Sequence, residues 1–596
     1  MKRFWDRRYA GLLVVAIGMA IYSPTVMFHK IGYDDDWLWS DDSPLRSLDA
    51  PTLKAVFFQL DAHHRKGVGS EYLPVRDVAV AVDMAIWGHD QHGPHISQVL
   101  LFGLLLFAFG TLLIRWGVPP PVAWLATLLW ACHPIGVQSV AWMSERKGIL
   151  AALFVAATGH AWIRYRAKAR HSPFALALAI VCAVCGVWSK APAVFGPLAF
   201  AAWDFILLPR ARSRWFAIIL CGSAAVAASI PVVVIASQMR VIDEEEGGAH
   251  VSRVPAAVGS LGHYVQSMTL VERPALSYPM QSDGPRPLDL ALGALAILGS
   301  AAALALRRRS ETYKLRLAAL AWAWVWFLPI SHLIAPVHIM VADRYAFLWA
   351  LGVCLGIALA IEYAIVQARG TLRLAIAGGL VCVFAVRTLQ EEQAWTNSIE
   401  LFSRAFETNP RDPQMCENFA SAIYAEGDAK GALAILDAGL AVRPREPHLL
   451  MKASQILWQI DQHDAALVAA RTAAESGLSS TAWRYAVLLE QSNDKENAVW
   501  WARRAAYAHP ELEMYQRTLA TILADTGRLD EAEWALRTAI TSPEHPVLDD
   551  LRLADVLLRL HRYVEVPRAL APARRDALLA DQVRRIEAQL ASASGK

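Results

Sequence analysis

Eleven apolar runs, most of them long enough to cross a lipid bilayer, fill the first two-thirds of this chain: 9–28, 96–114, 119–135, 148–163, 173–189, 191–208, 214–237, 289–306, 317–335, 345–366 and 371–387. Lipid offers no hydrogen bonds to a backbone, so each run is expected to be a helix that satisfies its own peptide groups. The charge pattern agrees with a division of the chain into two solvents. Residues 1–390 carry 34 Lys+Arg against 24 Asp+Glu, and residues 391–596 carry 23 against 30. We therefore expect an all-α chain: a polytopic membrane domain of about eleven spans over 1–390, then a water-soluble domain over 391–596. A net charge of +3 gives no reason to expect a nucleic-acid partner. Cys132, Cys182, Cys185, Cys221, Cys354 and Cys382 lie in or beside apolar runs, and Cys416 stands alone, so no disulfide framework is available.

Basic residues near span ends stay in the cytoplasm. Lys2, Arg3, Arg7 and Arg8, then Arg115, then Arg164, Arg166, Lys168 and Arg170 fall on one side of an eleven-span chain. So do Arg210, Arg212 and Arg214, the Arg307–Arg309 run with Lys314 and Arg316, and Arg369 with Arg373. The first run has basic flanks and no small-residue cleavage site, and reads as an uncleaved anchor in the inner, cytoplasmic membrane with its N-terminus inside. The large loop 29–95, the shorter loops 136–147, 190, 238–288 and 336–344, and the C-terminal domain are then extracytoplasmic. Within 250–272, Val251, Val254, Leu261, Val265 and Leu270 suggest an interfacial amphipathic helix.

From about Trp395 the pattern changes to short amphipathic helices. Pro410, Pro444, Pro510 and Pro543 are spaced 34, 66 and 33, and the small residues Ala432, Ala466, Ala498 and Ala532 are spaced 34, 32 and 34, with Gly427 and Gly527 at equivalent turns. A period of about 34 is that of a tetratricopeptide helix-turn-helix solenoid, here four full repeats with a leading helix at 398–408 and a degenerate tail. Such a stack has a groove able to present a protein segment.

Chemistry concentrates in the outer loops. Asp34, Asp35 and Asp36 follow the first span directly, where a carboxylate held at the water–lipid boundary can act as a general base toward a lipid-borne substrate. The plain alternative is a solvated acidic run. Ser144-Glu145-Arg146-Lys147, Ser189-Lys190 and Ala342-Asp343-Arg344-Tyr345 each bring a cation to the same side. Lys and Arg there suit a lipid phosphate, against the alternative of interface anchors. His29, His63, His64, His89, His92 and His95 have irregular spacing and define no ligand set, so no metal is expected.

Several stretches occur in an order that resembles a known family: Tyr33-Asp34-Asp35, Tyr72-Leu73-Pro74-Val75 with Trp87-Gly88 and His95, His133–Ala151, Trp188–Pro197, Tyr278-Pro279, Ala342–Leu348, and Trp395–Pro410. The chain resembles bacterial relatives of the transmembrane and tetratricopeptide-repeat O-mannosyltransferases, members of the GT-C class of membrane glycosyltransferases. The resemblance implies a GT-C-like fold and a polyprenyl-phosphate sugar donor, with no cofactor or obligatory metal. It also implies an acceptor protein or glycan hydroxyl activated by a first-loop aspartate, in an inverting displacement. It places the base at Asp35, with Asp34 second, and the donor phosphate near Arg344, Lys190, Arg146 and Lys147. Asp36, Arg76, Glu145, Asp343 and Tyr345 are supporting residues. Two departures stand out: the family's Arg before the loop proline is Leu73, with Arg76 nearby, and its acidic residue after the Arg-Lys pair is Gly148. The competing reading is a non-catalytic membrane-anchored repeat scaffold that recruits partners. A transporter of lipid-linked sugar is weaker, because the spans show no inverted repeat.

Overall fold

The computed structural model describes residues 9–40, 43–60, 65, 70–167, 172–243, 252–270, 273–305, 311–334, 339–363, 370–541 and 545–594. Outside this set lie Lys2, Arg3, Arg7, Arg8, His63, His64, Lys168, Arg170, Val251, Arg307–Arg309, Arg369 and Pro543. Every regular element among the described residues is helical. The chain divides into two compact units, one ending at Ala422 and one beginning at Ile423.

Five helices of the first unit are long and apolar enough to cross a membrane: Tyr9–Met27, Gly93–Arg115, Ser213–Gln238, Pro287–Ala305 and Thr371–Trp395. Four more are apolar but shorter, Pro120–Cys132, Pro173–Ser189, Ala191–Leu207 and Phe347–Tyr363. The remaining two expected spans fall on Arg146–Ala167, which carries Arg146, Lys147, Arg164 and Arg166, and on Glu311–Phe327. Each expected run thus contains a helix, but five rather than eleven meet the full length. Proline is one reason for the shortfall. Pro134 and Pro192 open 3₁₀ turns next to the helices that end at Cys132 and Ser189, because proline has no N–H to continue a helical ladder.

The bundle packs around buried indoles. Trp203 and Trp322 lie 4.9 Å apart, and Trp322 meets Phe109 and Phe200 at 5.9 and 5.8 Å. Each buried indole N–H needs an acceptor. Trp130 donates to the Phe347 carbonyl at 2.8 Å, Trp322 to Leu348 at 2.8 Å and Trp203 to Ala318 at 2.9 Å, which ties four helices to one another. At another point the buried Asp204 accepts from Arg166 at 2.6 Å and from Arg214 at 2.7 Å, so two of the expected loop cations are held in an internal ion cluster.

The stretch in which an interfacial helix is expected does contain a helix, and one side of it packs against protein. Helix Arg253–Met268 has eleven buried residues, Leu261 among them, and packs along span Pro287–Ala305. Two glycines permit the contact: a Cβ on Gly262 would stand 1.8 Å from the Asp289 carbonyl oxygen, and one on Gly293 would stand 1.9 Å from that of Val258. The helices touch backbone to backbone, as small residues allow in membranes. Gln266 then donates to the buried Asp289 carboxylate at 2.5 Å.

Segment 393–414 also belongs to the first unit. The Gly32 N–H donates to Ser398 Oγ at 2.7 Å, Asn409 donates to the Tyr278 carbonyl at 3.0 Å, and Ser277 donates to Asp412 at 2.5 Å. The start of the repeat region is thereby fastened beside the loops that follow the first span.

In the second unit, Pro447–Gln459 with His463–Ala474, Ser479–Gln491 with Lys495–Ala508, and Glu513–Asp525 with Leu529–Ala539 form successive hairpins. Ala432, Ala466, Ala498 and Ala532 are fully buried where paired helices approach. The turn before each second helix holds a left-handed residue: Gly427, Asp461, Asn493, Gly527 and then His561. Asp and Asn tolerate that conformation better than most residues, so the repeat continues where glycine is missing.

Gly262→Ala is expected to force the two helices apart and cost about 1–3 kcal/mol. Gly299→Ala on the same span, with nothing within 4 Å of its Cβ, is the control. Thermal midpoints in detergent should fall for the first and hold for the second.

Candidate active site

The first span ends in a 3₁₀ turn, Ser23–Met27, and the chain then folds back into a four-residue helix, Asp35–Leu38. Asp35 at its start is fully buried. One carboxylate oxygen accepts from the Ile31 N–H at 3.1 Å, and the other from Ser144 N–H at 3.0 Å and Ser144 Oγ at 2.5 Å. Burial pushes the Asp35 carboxyl up to about 7; the bonds from Ser144 and Ile31 oppose that rise and the neighbouring Asp34 charge adds to it.

Ser144 opens the turn that carries the cations. Glu145, also buried, accepts from Lys190 Nζ at 2.6 Å and faces Arg344 Nε at 3.6 Å. Arg344 also donates to Gln138 Oε1 at 3.2 Å and lies over the rings of Trp142 and Tyr345, 5.4 and 5.0 Å from their centres. Burial lowers the Lys190 ammonium despite its bond to Glu145. Gly148 lies against this cluster, where a Cβ would stand 3.0 Å from Glu145 Oε2 and 3.6 Å from Lys190 Nζ. The departure noted in the sequence thus leaves room for the Glu145–Lys190 pair. Asp343 is buried and accepts from Tyr278 at 2.6 Å, which fixes the turn carrying Arg344.

A second group adjoins the first. Lys147 binds Glu71 at 2.8 Å, Arg76 binds the same carboxylate at 3.2 Å, and Arg76 and Arg65 both bind the buried Asp77, at 2.6 and 3.3 Å. Burial disfavours charge on Glu71, but Lys147 and Arg76 outweigh it and hold the carboxyl below its usual range.

Asp34 stands between the two groups. Its charge interacts with Lys147, Glu71, Arg344 and Arg76, yet burial dominates and raises its pKa above the ordinary 3.8. Its side chain is partly exposed and takes no hydrogen bond among the described residues. Asp36 points to solvent. Beside Lys190, Arg344 and Tyr345 is a cleft of about 40 Å³ walled by Ala151, Trp326, Ile330 and Leu348.

Of the expected residues, Asp34, Asp35, Glu145, Lys147, Lys190, Arg344, Tyr345, Asp343 and Arg76 converge at this end of the bundle. Arg146 does not join the open site. It is buried against Asp83, donates to Gln98 at 3.2 Å and to the Pro94 carbonyl at 2.5 Å, and serves as an internal clamp. Glu71, Gln138 and Trp142 are the partners that sequence reasoning did not single out. Among the described residues no group of three or more His, Cys, Asp or Glu is placed to hold a metal ion. His92 instead contacts the Val26 carbonyl at 2.9 Å, and His29 contacts Gln91 at 3.3 Å.

No family model matches the chain. Over 250 residues, 40% of its length, it is 26% identical to the protein O-mannosyl-transferase Tmtc3 of Drosophila melanogaster. The match spans 24% of that relative's length, about a quarter. Among solved structures, the Archaeoglobus fulgidus oligosaccharyltransferase tethered to an acceptor peptide aligns with 70% of this chain and 59% of its own, at 14% identity and a TM-score of 0.40. The TPR protein YrrB aligns with 31% of this chain and 99% of its own, at 18% identity and a TM-score of 0.28. At scores this low neither likeness fixes the fold, which stands on the geometry above.

Asp35 binds its proton more tightly when folded than when unfolded, so its contribution to stability is full below the ordinary value of 3.8 and is lost as pH rises through about 7. Asp35→Asn removes that titration. Thermal midpoints between about pH 5 and 8 should fall with pH in the parent and fall less steeply in the variant.

Proposed function

We propose that this protein is a membrane glycosyltransferase. It moves a hexose of the mannose type from a polyprenyl-phosphate carrier to a hydroxyl of a protein or glycan, at the extracytoplasmic face of the inner membrane and with its N-terminus inside. The observation that carries this reading is that Asp34 interacts with Lys147 and Arg344, and that Arg344 with Lys190 borders a cleft whose other wall is apolar. A lipid-linked phosphodiester has that same division between a greasy tail and an anionic head.

The two aspartates divide the work. Asp35 has both oxygens engaged by Ile31 and Ser144 and no exposure, so it positions the cation turn rather than meeting a substrate. Asp34, free of hydrogen bonds, is the base. It takes the proton of the acceptor hydroxyl as that oxygen attacks the anomeric carbon. The bond from that carbon to the phosphate oxygen breaks, and the electron pair leaves with the lipid phosphate. Attack opposite the leaving group inverts the anomeric centre. Lys190 and Arg344 hold the phosphate and stabilise the charge that grows on it, with Lys147 beside them. Glu145, Gln138 and Asp343 keep these cations in place, and the aromatic faces of Trp142 and Tyr345 orient the Arg344 guanidinium.

The test is consumption of radiolabelled polyprenyl-phosphate mannose by the purified protein in detergent. Asp34→Asn is expected to lower the rate at least ~100-fold while donor binding persists. Lys190→Met and Arg344→Met are expected to raise the donor KM about tenfold. Because Asp34 must be ionised, and burial holds its carboxyl above 3.8, the acid limb of kcat/KM should lie above that value and move higher in Lys147→Met. Full turnover by Asp34→Asn, or no turnover of any polyprenyl-phosphate hexose by the parent protein, would overturn the proposal and favour a scaffold.

A further inference from the structure

Helix Gly196–Leu207 follows Lys190 and, at 1.5 Å per residue, carries the chain about 18 Å away. It ends in the turn Leu208-Pro209-Arg210-Ala211-Arg212, after which Ser213 opens the next span. Buried charge fixes this turn. Arg166 binds both oxygens of Asp204, at 2.6 and 3.0 Å, and donates to Ser213 Oγ and to the Pro209 carbonyl, each at 2.8 Å. Arg214 donates to Asp204 at 2.7 Å and to the Leu208 carbonyl at 3.0 Å. Arg210 and Arg212 stay outside this frame: both are exposed, and neither meets a carboxylate among the described residues.

The corner is therefore positive. Asp204 is the only acidic side chain between residues 146 and 242. Helix Glu311–Phe327, packed against Gly196–Leu207, adds Glu311 together with Lys314 and Arg316, which keeps the sign. The span that leaves the turn presents an apolar stripe: Trp215, Ile219, Val226, Ile230 and Val233 recur at the helical period and are 56% to 63% exposed. Phe205 meets Trp215 at 5.7 Å at the head of this stripe. Gly222 falls within it, and nothing stands within 4 Å of the position its Cβ would take. Neither a close neighbour nor a positive φ requires glycine there, so the notch opens outward from the span.

We propose that this corner binds one anionic phospholipid, with its phosphate held by Arg210 and Arg212 and an acyl chain lying along the Trp215–Val233 stripe over the notch at Gly222. Lipid covers the exposed stripe of a membrane span in any case, and the unpaired guanidiniums select which lipid. A guanidinium gives a phosphate two parallel hydrogen bonds, and a basic cluster at the membrane surface attracts anionic headgroups. The indole of Trp215 suits the headgroup level, where one edge is wet and the other apolar. Snorkelling alone accounts for exposed arginines at a span end. It accounts neither for the buried frame that fixes their turn nor for a glycine that packing does not need. The proposal uses no residue of the transfer site and stands or falls without that chemistry.

Native mass spectrometry of the full-length protein in detergent tests it, with dioleoyl phosphatidylglycerol or dioleoyl phosphatidylcholine added. A single phosphatidylglycerol is expected to stay bound where phosphatidylcholine does not, and its Kd to weaken about tenfold in Arg210→Ala and in Arg212→Ala. Arg164→Ala removes an exposed cation that points about 200° away from Arg166 on the same helix, and should leave the Kd unchanged. Gly222→Leu should weaken the dioleoyl lipid but not dihexanoyl phosphatidylglycerol, whose chains are too short to reach the notch. Equal retention of the two headgroups, an equal loss in Arg164→Ala, an unchanged Kd in the Arg210→Ala/Arg212→Ala double variant, or full binding of the dioleoyl lipid by Gly222→Leu would each overturn it. So would displacement of the lipid by millimolar glycerol phosphate, which would make the ligand a free phosphate. Donor consumption measured on the same samples separates this outcome from the enzymatic one.

Discussion

One buried carboxylate organises the site. Asp35 and Ser144 are 109 residues apart in sequence, and the hydrogen bonds between them join the loop after the first span to the turn that bears Glu145 and Lys147. An unpaired charge in that position would carry a desolvation cost of several kcal/mol. Three hydrogen bonds and a carboxyl shifted up to about 7 reduce the cost. Without that junction, Asp34 and the cations would sit on separate loops.

Around this junction the charges are paired but not saturated. Lys190 and Arg344 share Glu145, while Lys147 and Arg76 share Glu71. In the first group two cations face one carboxylate, and in the second, where Arg76 and Arg65 also bind Asp77, three face two. A cation that shares its counterion keeps attraction for a further anion, and fixed dipoles in a water-poor site cost little reorganisation when charge moves. The same logic separates Arg146 from its neighbours, since Asp83, Gln98 and the Pro94 carbonyl occupy its donors.

Much of this was legible in the sequence, and the failures have physical causes. Apolar run length located a helix in each expected interval but overstated the number of full spans, because proline turns and internal cations shorten several of them. The repeat period survived the loss of glycine at Asp461 and Asn493, since the turn needs a left-handed residue rather than glycine itself. At 250–272 the amphipathic pattern locates the helix but does not say whether its apolar face meets protein or lipid. Only Gly262 and Gly293, which permit close contact, hinted at the difference. Motif reading pointed to loops that the fold brings together, yet could not separate adjacent residues. Successive helical positions point about 100° apart, so Lys147 faces the site while Arg146 turns inward, and Asp34 and Asp35 part in a similar way. The Lys147–Glu71 and Arg344–Gln138 pairs span 76 and 206 residues, and no local pattern encodes them.

The most direct measurement is an electron cryomicroscopy structure of the protein in nanodiscs with a non-hydrolysable polyprenyl-phosphate hexose analogue bound. The phosphate should lie within hydrogen-bonding distance of Lys190 and Arg344, with the tail along Ile330 and Leu348 and Asp34 within reach of the anomeric carbon's open face. A phosphate bound elsewhere, or Asp34 and Lys190 on opposite sides of the membrane, would contradict the assignment.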